Sequence, residues 1–153
     1  MKWLSDLIAN PFFLTGISSW FIAQVLKTII HTFVSKKIEF RRLWGDGGMP
    51  SGHSATVSSI AIMSALIYGT GSFQFAISAI LTIIVCHDAM GVRRETGNQA
   101  MVLNRLVKTF RNLTQEKIPE AELKEFVGHT PVQVLVGIIV GVTDAFVIYH
   151  ISG

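Results

Sequence analysis

The stretch Gly47-Gly48-Met49-Pro50-Ser51-Gly52-His53-Ser54-Ala55 divides the chain. Glycine costs about 1 kcal/mol inside a helix and proline about 3, so no helix runs through it. A long apolar run begins immediately after it. The stretch therefore reads as a tight loop opening into a helix N-terminus. Such a terminus offers unpaired N–H groups and a partial positive charge, and glycine lets a ligand approach the backbone closely. Ser51 and His53 add a hydroxyl and a proton-transfer group at the same place. That combination suits a phosphoryl group. A plain Gly/Pro turn between two membrane helices, with an incidental histidine, would use the same residues.

The rest of the chain makes the membrane setting the natural one. Half of its 153 residues are hydrophobic, 15% are charged, and the mean hydropathy is +0.48. Soluble domains carry about 25% charge. The apolar residues also come in blocks, which predicts a single all-α domain over residues 1–153, a polytopic helical membrane protein. About four embedded helices are expected, over 12–34, 52–69, 73–91 and 132–151, with an amphipathic interfacial helix in addition. Residues 1–10 form a short amphipathic lead-in without the form of a cleaved signal peptide, and Pro11 opens the first span. The single cysteine, Cys86, lies in an apolar run and reads as core packing. The net charge of +3 is small, and no nucleic-acid partner is expected. Few short spans are compatible with a homo-oligomer.

Charge placement sets the topology. The second and third spans form a hairpin, so loops 35–52 and 91–130 emerge on one side. Of the 13 Lys and Arg residues, Lys2 and Lys27 alone lie outside those loops. The positive-inside rule puts both loops in the cytoplasm of a bacterial-type plasma membrane. Within 91–130, Leu103, Leu106, Val107 and Phe110 make an apolar stripe beside Arg105, Lys108 and Arg111. This pattern fits a helix lying on a membrane surface, and equally one packed on the rest of the protein. Glu120 to Phe126 reads as a short charged helix.

Three groups with reactive side chains fall on that one side. Ser51, Gly52 and His53 form the first. His87-Asp88-Ala89-Met90-Gly91-Val92-Arg93-Arg94 forms the second, where adjacent guanidinium groups can bind anionic oxygens. Gly128-His129-Thr130-Pro131-Val132-Gln133 forms the third. In the first span Gln24, Lys27 and His31 share one helical face, and an ionisable group there usually faces a polar interior. Together these are the parts of a phosphoryl-transfer site: histidines as nucleophile and general acid, cations to balance phosphoryl charge. No metal-ligand cluster of ordinary spacing is present in the sequence, and no metal or cofactor is expected.

Pro50-Ser51-Gly52-His53 resembles the second signature motif of the type 2 phosphatidic acid phosphatase and vanadium haloperoxidase superfamily. The run Gly128 to Gly137 resembles the end of its third motif. Gln24 with Lys27, GGMPSGHSA, DAMGVRRETGNQA, Asn104 and LKEFVGHTPVQVLVG resemble the small divergent membrane branch of that superfamily, from the first span to the last. The resemblance implies His129 as a nucleophile forming a phosphohistidine and His53 as the general acid. It implies Lys27, Ser51 and Gly52 as phosphoryl ligands, with Arg93, Arg94 and Arg42 (or Arg41) as the arginine contacts. Gln133 stands where the superfamily has the carboxylate that orients the nucleophile, with Asp88, Glu125 and Asp144 as alternatives.

The expected function is that of a metal-independent lipid phosphate phosphatase. A cytoplasmic site favours phosphatidylglycerophosphate, and phosphatidic acid and undecaprenyl diphosphate are the alternatives. A non-catalytic protein binding anionic lipid or a partner is the reading of another class. Vanadate-dependent halide oxidation shares the residues but suits an embedded chain less well.

Overall fold

The computed structural model describes residues 2–36, 48–114, 123 and 128–152. The secondary structure among the described residues is all helix: α1 (Lys2–Ile8), α2 (Pro11–Ser35), α3 (Gly52–Tyr68), α4 (Phe73–Met90), α5 (Val92–Thr114) and α6 (Pro131–Ser152). The starts follow from local chemistry. Asn10 caps α2, its Oδ1 accepting from the N–H groups of Phe12 and Phe13 at 2.9 and 3.2 Å, with Pro11 behind it. Ser51 and Ser72 cap α3 and α4 in the same way. Gly69 follows the end of α3 with φ +81, and the turn to Ser72 reverses the chain. Glu120 to Phe126, Arg41 and Arg42 lie outside the described residues, apart from Leu123.

The architecture is the helical membrane protein expected from composition. Among the described residues three stretches are long and apolar enough to cross a bilayer: Pro11–Ser35, the run beginning at Phe73, and Pro131–Ile151. The helix α3, at 17 residues, is shorter than these and sits among them, packing on α2, α4 and α6. Its sequence explains the position. Ser54, Ala55, Ser58, Ser59, Ala61 and Ser64 are all buried, and such small side chains let neighbouring backbones close in. The helix α6 answers with glycine. A Cβ added at Gly137 would lie 2.5 Å from the Ser51 carbonyl oxygen, and one at Gly141 would lie 2.2 Å from that of Ala55. Gly137 and Gly141 are one turn apart, a small-residue seam of the kind that joins helices in membranes. Polar links add to it. Ser58 Oγ reaches the Ile138 carbonyl at 3.5 Å, and the Ser51 N–H donates to the Gln133 carbonyl at 3.0 Å.

The buried Asp144 belongs to a different joint. Its Oδ2 accepts from Ser18 and Ser19 of α2, both at 2.6 Å. It lies about 20 Å along α6 from the His129 end, at 1.5 Å per residue. That distance corrects the alternative that Asp144 orients His129: it fastens α2 to α6.

The helix α5 follows α4 directly at Gly91 and packs on α4 alone among the described helices. Leu103, Leu106, Val107 and Phe110 are exposed, so the rest of the described chain does not cover the stripe.

Candidate phosphoryl-transfer site

The helix ends bring the three groups together. The C-terminal half of α2, the N-terminus of α3, the C-terminus of α4 and the N-terminus of α6 occupy one end of the bundle. Ser51 is fully buried at the start of α3. Its hydroxyl accepts from the Ser54 N–H at 3.3 Å and from the Ser54 hydroxyl at 3.0 Å. Because Ser51 N–H also binds the first turn of α6, two positive helix ends sit side by side.

His129 is buried, 3% exposed, in the short link before α6. Its ring lies 6.2 Å from that of His53, centroid to centroid, at an interplanar angle of 63°. This is close enough for one phosphoryl group to touch both. Nδ1 of His129 faces Gln133 Oε1 at 3.4 Å, and the same oxygen accepts from the Thr130 N–H at 3.0 Å. A backbone N–H can only donate, so the atom facing the ring is the amide oxygen, and Nδ1 carries the proton. The lone pair is thereby left on Nε2. Burial pushes the His129 imidazole below its ordinary 6.5, and the charges of Lys27 and His53 act in the same direction. Hydrogen bonds with Gln133 and the Gly48 backbone oppose them. A lowered value keeps the ring neutral, hence nucleophilic, near pH 7.

Lys27 is buried, 5% exposed, about two turns before the end of α2. Its stem runs past Gly48: a Cβ there would meet Lys27 Cγ at 3.3 Å. Gly48 has φ +89, so glycine serves both the turn and the passage of the lysine. Trp20 and Gln24 lie on the same face of α2 as Lys27 and approach Gly52, whose added Cβ would sit 3.4 Å from Trp20 Cδ1 and 3.8 Å from Gln24 Nε2. Among the described residues no group of three or more His, Cys, Asp or Glu side chains is placed to hold a metal ion.

Of the expected arginine contacts, Arg93 and Arg94 lie among the described residues. Arg93 Nε pairs with Asp88 Oδ2 at 2.9 Å, both side chains 43% exposed, and Arg94 is exposed. Asp88 is thus engaged by Arg93, while Gln133 is the side chain that meets the His129 ring. The 93–94 segment nevertheless supports the site through its backbone. Gly128, with φ +90, lies so close that an added Cβ would be 2.3 Å from Arg94 N and 2.7 Å from the Arg93 carbonyl carbon. The His129 N–H donates to the Ala89 carbonyl at 2.9 Å. The α4–α5 joint is the socket that holds the histidine loop. Two positions were not assigned a role from sequence, Gln24 and the Gly137–Gly141 pair. The second was legible as a G-x-x-x-G spacing in the last span.

The match of this chain to known proteins runs from the first span to the last. It agrees with one family over residues 8–144. The chain belongs to the divergent PAP2 family. It is also 37% identical, over 154 residues, to the uncharacterized membrane protein YuiD of Bacillus subtilis (strain 168), covering 95% of this chain and 98% of the relative. No solved structure matches it. Within the divergent PAP2 family match fall Lys27, Ser51, His53, His129 and Gln133, the residues that line the end of the bundle described above.

Proposed function

We propose that this protein is a metal-independent lipid phosphate phosphatase that works through a phosphohistidine. The observation that carries the reading is the pair of imidazoles 6.2 Å apart at two adjoining helix N-termini, beside a buried lysine. His129 Nε2 attacks phosphorus, the bond from phosphorus to the ester oxygen breaks, and His53 gives its proton to the departing alkoxide. Water then attacks the phosphohistidine, His53 takes back a proton, and phosphate leaves with His129 restored. Lys27, the Ser51–Gly52 turn and the helix termini balance the charge that develops on the phosphoryl oxygens. Gln133 holds the reacting tautomer. Unlike a carboxylate it brings no charge, so it leaves the imidazole less basic.

The distribution of Lys and Arg supports a cytoplasmic position for the loops that carry the site. A lipid phosphate produced on the inner leaflet is then the accessible substrate, and phosphatidylglycerophosphate fits best. Phosphate release by detergent-purified protein from phosphatidylglycerophosphate, phosphatidic acid and undecaprenyl diphosphate tests the proposal. Release from the first that is abolished in His129→Ala is expected. No release from any of the three, or release indifferent to His129→Ala, overturns it. The pairing of Arg93 with Asp88 favours the second reading, a non-catalytic binder of anionic lipid. Lipid binding retained in a His53→Ala/His129→Ala double variant, with no turnover in the wild type, supports that one.

A further inference from the structure

The helix α5 meets the histidine loop at its start, where the backbone of Arg93 and Arg94 lies against Gly128. It holds the same stretch of chain again at Asn104, about 15 Å further along at 1.5 Å per residue. Asn104 Nδ2 donates to the Leu123 carbonyl at 2.9 Å, and Asn104 Oδ1 accepts from the Leu123 N–H at 3.1 Å. A main-chain N–H can only donate and a carbonyl can only accept, so the two partners fix which end of the amide is which. Both bonds go to main chain, so the grip does not depend on the side chain at 123. Gly97, Ala100 and Asn104 follow one another at helical spacing and share a face. Gly97 and Ala100 are buried, whereas Leu103, Leu106, Val107 and Phe110 are exposed. Asn104 therefore stands on the covered side of α5 and not on its apolar stripe.

The helix runs unbroken from Val92 to Thr114, so its two holds belong to one rigid element. Without the hold at Asn104, the thirteen residues 115–127 would join the end of α5 to Gly128; with it, the four residues 124–127 lie between two fixed points. The chance that a connection brings its ends together falls roughly as the 3/2 power of its length, so the shorter one favours the seated loop by roughly sixfold. We propose that Asn104 is a positioning residue for His129, with α5 as a splint that keeps the histidine loop in its seat through Leu123. Calling His129 the nucleophile rests on the phosphatase reading; the seat itself does not. The seat also has an observable of its own. The His129 N–H donates to the Ala89 carbonyl at 2.9 Å, and it exchanges with deuterium when the loop lifts.

Asn104→Leu keeps the size of the side chain, removes both hydrogen bonds and has the better helix propensity. Amide exchange is followed by NMR on the full chain in detergent micelles. Exchange at the His129 N–H should be about sixfold faster in the variant. The melting temperature, and exchange at the Ala55 N–H inside the bundle, should stay at wild-type values. Asn104→Asp keeps the acceptor and gives up the donor, and should fall between the two. Wild-type exchange at His129 in Asn104→Leu overturns the proposal. So does faster exchange shared equally by Ala55 with a lowered melting temperature, which would make Asn104 a general structural group. A rise in KM for lipid phosphate with kcat and His129 exchange unchanged would make it a substrate contact instead. Faster exchange confined to His129 in a protein that releases no phosphate upholds the splint and removes the phosphatase.

Discussion

Gly141→Ala tests whether the two histidines are held by the backbone seam between α3 and α6. An alanine Cβ would stand 2.2 Å from the Ala55 carbonyl oxygen and 2.3 Å from Ser58 Oγ, where ordinary contact begins near 3.4 Å. Ser58 can turn away, but a carbonyl in the middle of a helix cannot. The helices must part by about 1 Å to restore contact. Overpacking of this kind costs about 1–3 kcal/mol, and alanine returns up to about 1 through its better helix propensity. The net loss is about 1–2 kcal/mol, which for a chain of this size lowers the melting temperature by roughly 2–8 °C. The separation also carries Ser51 and His53 on one helix away from the His129 loop before the other. A misplacement of about 1 Å can cost on the order of a hundredfold in rate. Melting and phosphate release are measured on detergent-purified protein, with Gly71→Ala as the control, because nothing lies within 4 Å of a Cβ there. A Gly141→Ala protein that melts and turns over like the wild type refutes the reasoning.

Further outcomes follow from other parts of the molecule. His129 is held below 6.5 mainly by burial, so its reactive neutral form persists to mildly acidic pH and kcat/KM should fall only below 6.5. Gln133→Glu places a carboxylate beside the ring, raises its basicity and should move that limb to higher pH; a limb that stays put separates Gln133 from the nucleophile. Asp144→Leu strips Ser18 and Ser19 of their shared acceptor and should cost about 1–3 kcal/mol in stability. It should leave the acid limb unchanged, and a displaced limb would tie Asp144 to the site after all. A spin label on Leu106→Cys reports where the stripe of α5 lies. Collision with oxygen in preference to a water-soluble nickel complex is expected for a helix on the membrane surface, and the reverse preference rules it out.

Much of the fold was legible because its signals are local. Pro11 after Asn10, and the turn from Gly69 to Ser72, mark helix ends through backbone chemistry that needs no tertiary partner. The meeting of His53 with His129 was legible from topology, since a hairpin and two flanking spans leave little freedom in which ends are neighbours. The arginines were harder to read. Arg93 and Arg94 carry an obvious chemical meaning, yet the part of them that supports the histidine loop is their backbone, pressed against Gly128. A side-chain motif cannot announce a main-chain function. Asp144 misleads in the same way: a carboxylate in an apolar run invites a role at the reacting centre, whereas two serines on another helix account for it. Gln24 shares a face with Lys27 in the sequence, but that its Oε1 is buried with no hydrogen-bond partner among the described residues is a property of three dimensions alone.

The seam of Gly137 and Gly141 makes the spacing of the two imidazoles a main-chain quantity. With glycine on α6 facing serine and alanine on α3 along this seam, that distance has little in it that can repack. The helices α2 and α4 flank this pair, each touching both of its members. On the phosphatase reading, the outer faces of α2 and α4 could then vary without altering the spacing of the imidazoles, provided Lys27 and the Ala89 carbonyl that holds the His129 N–H stay in place. Substrate range and chemistry would thus be separable traits, varied on different surfaces of one small bundle.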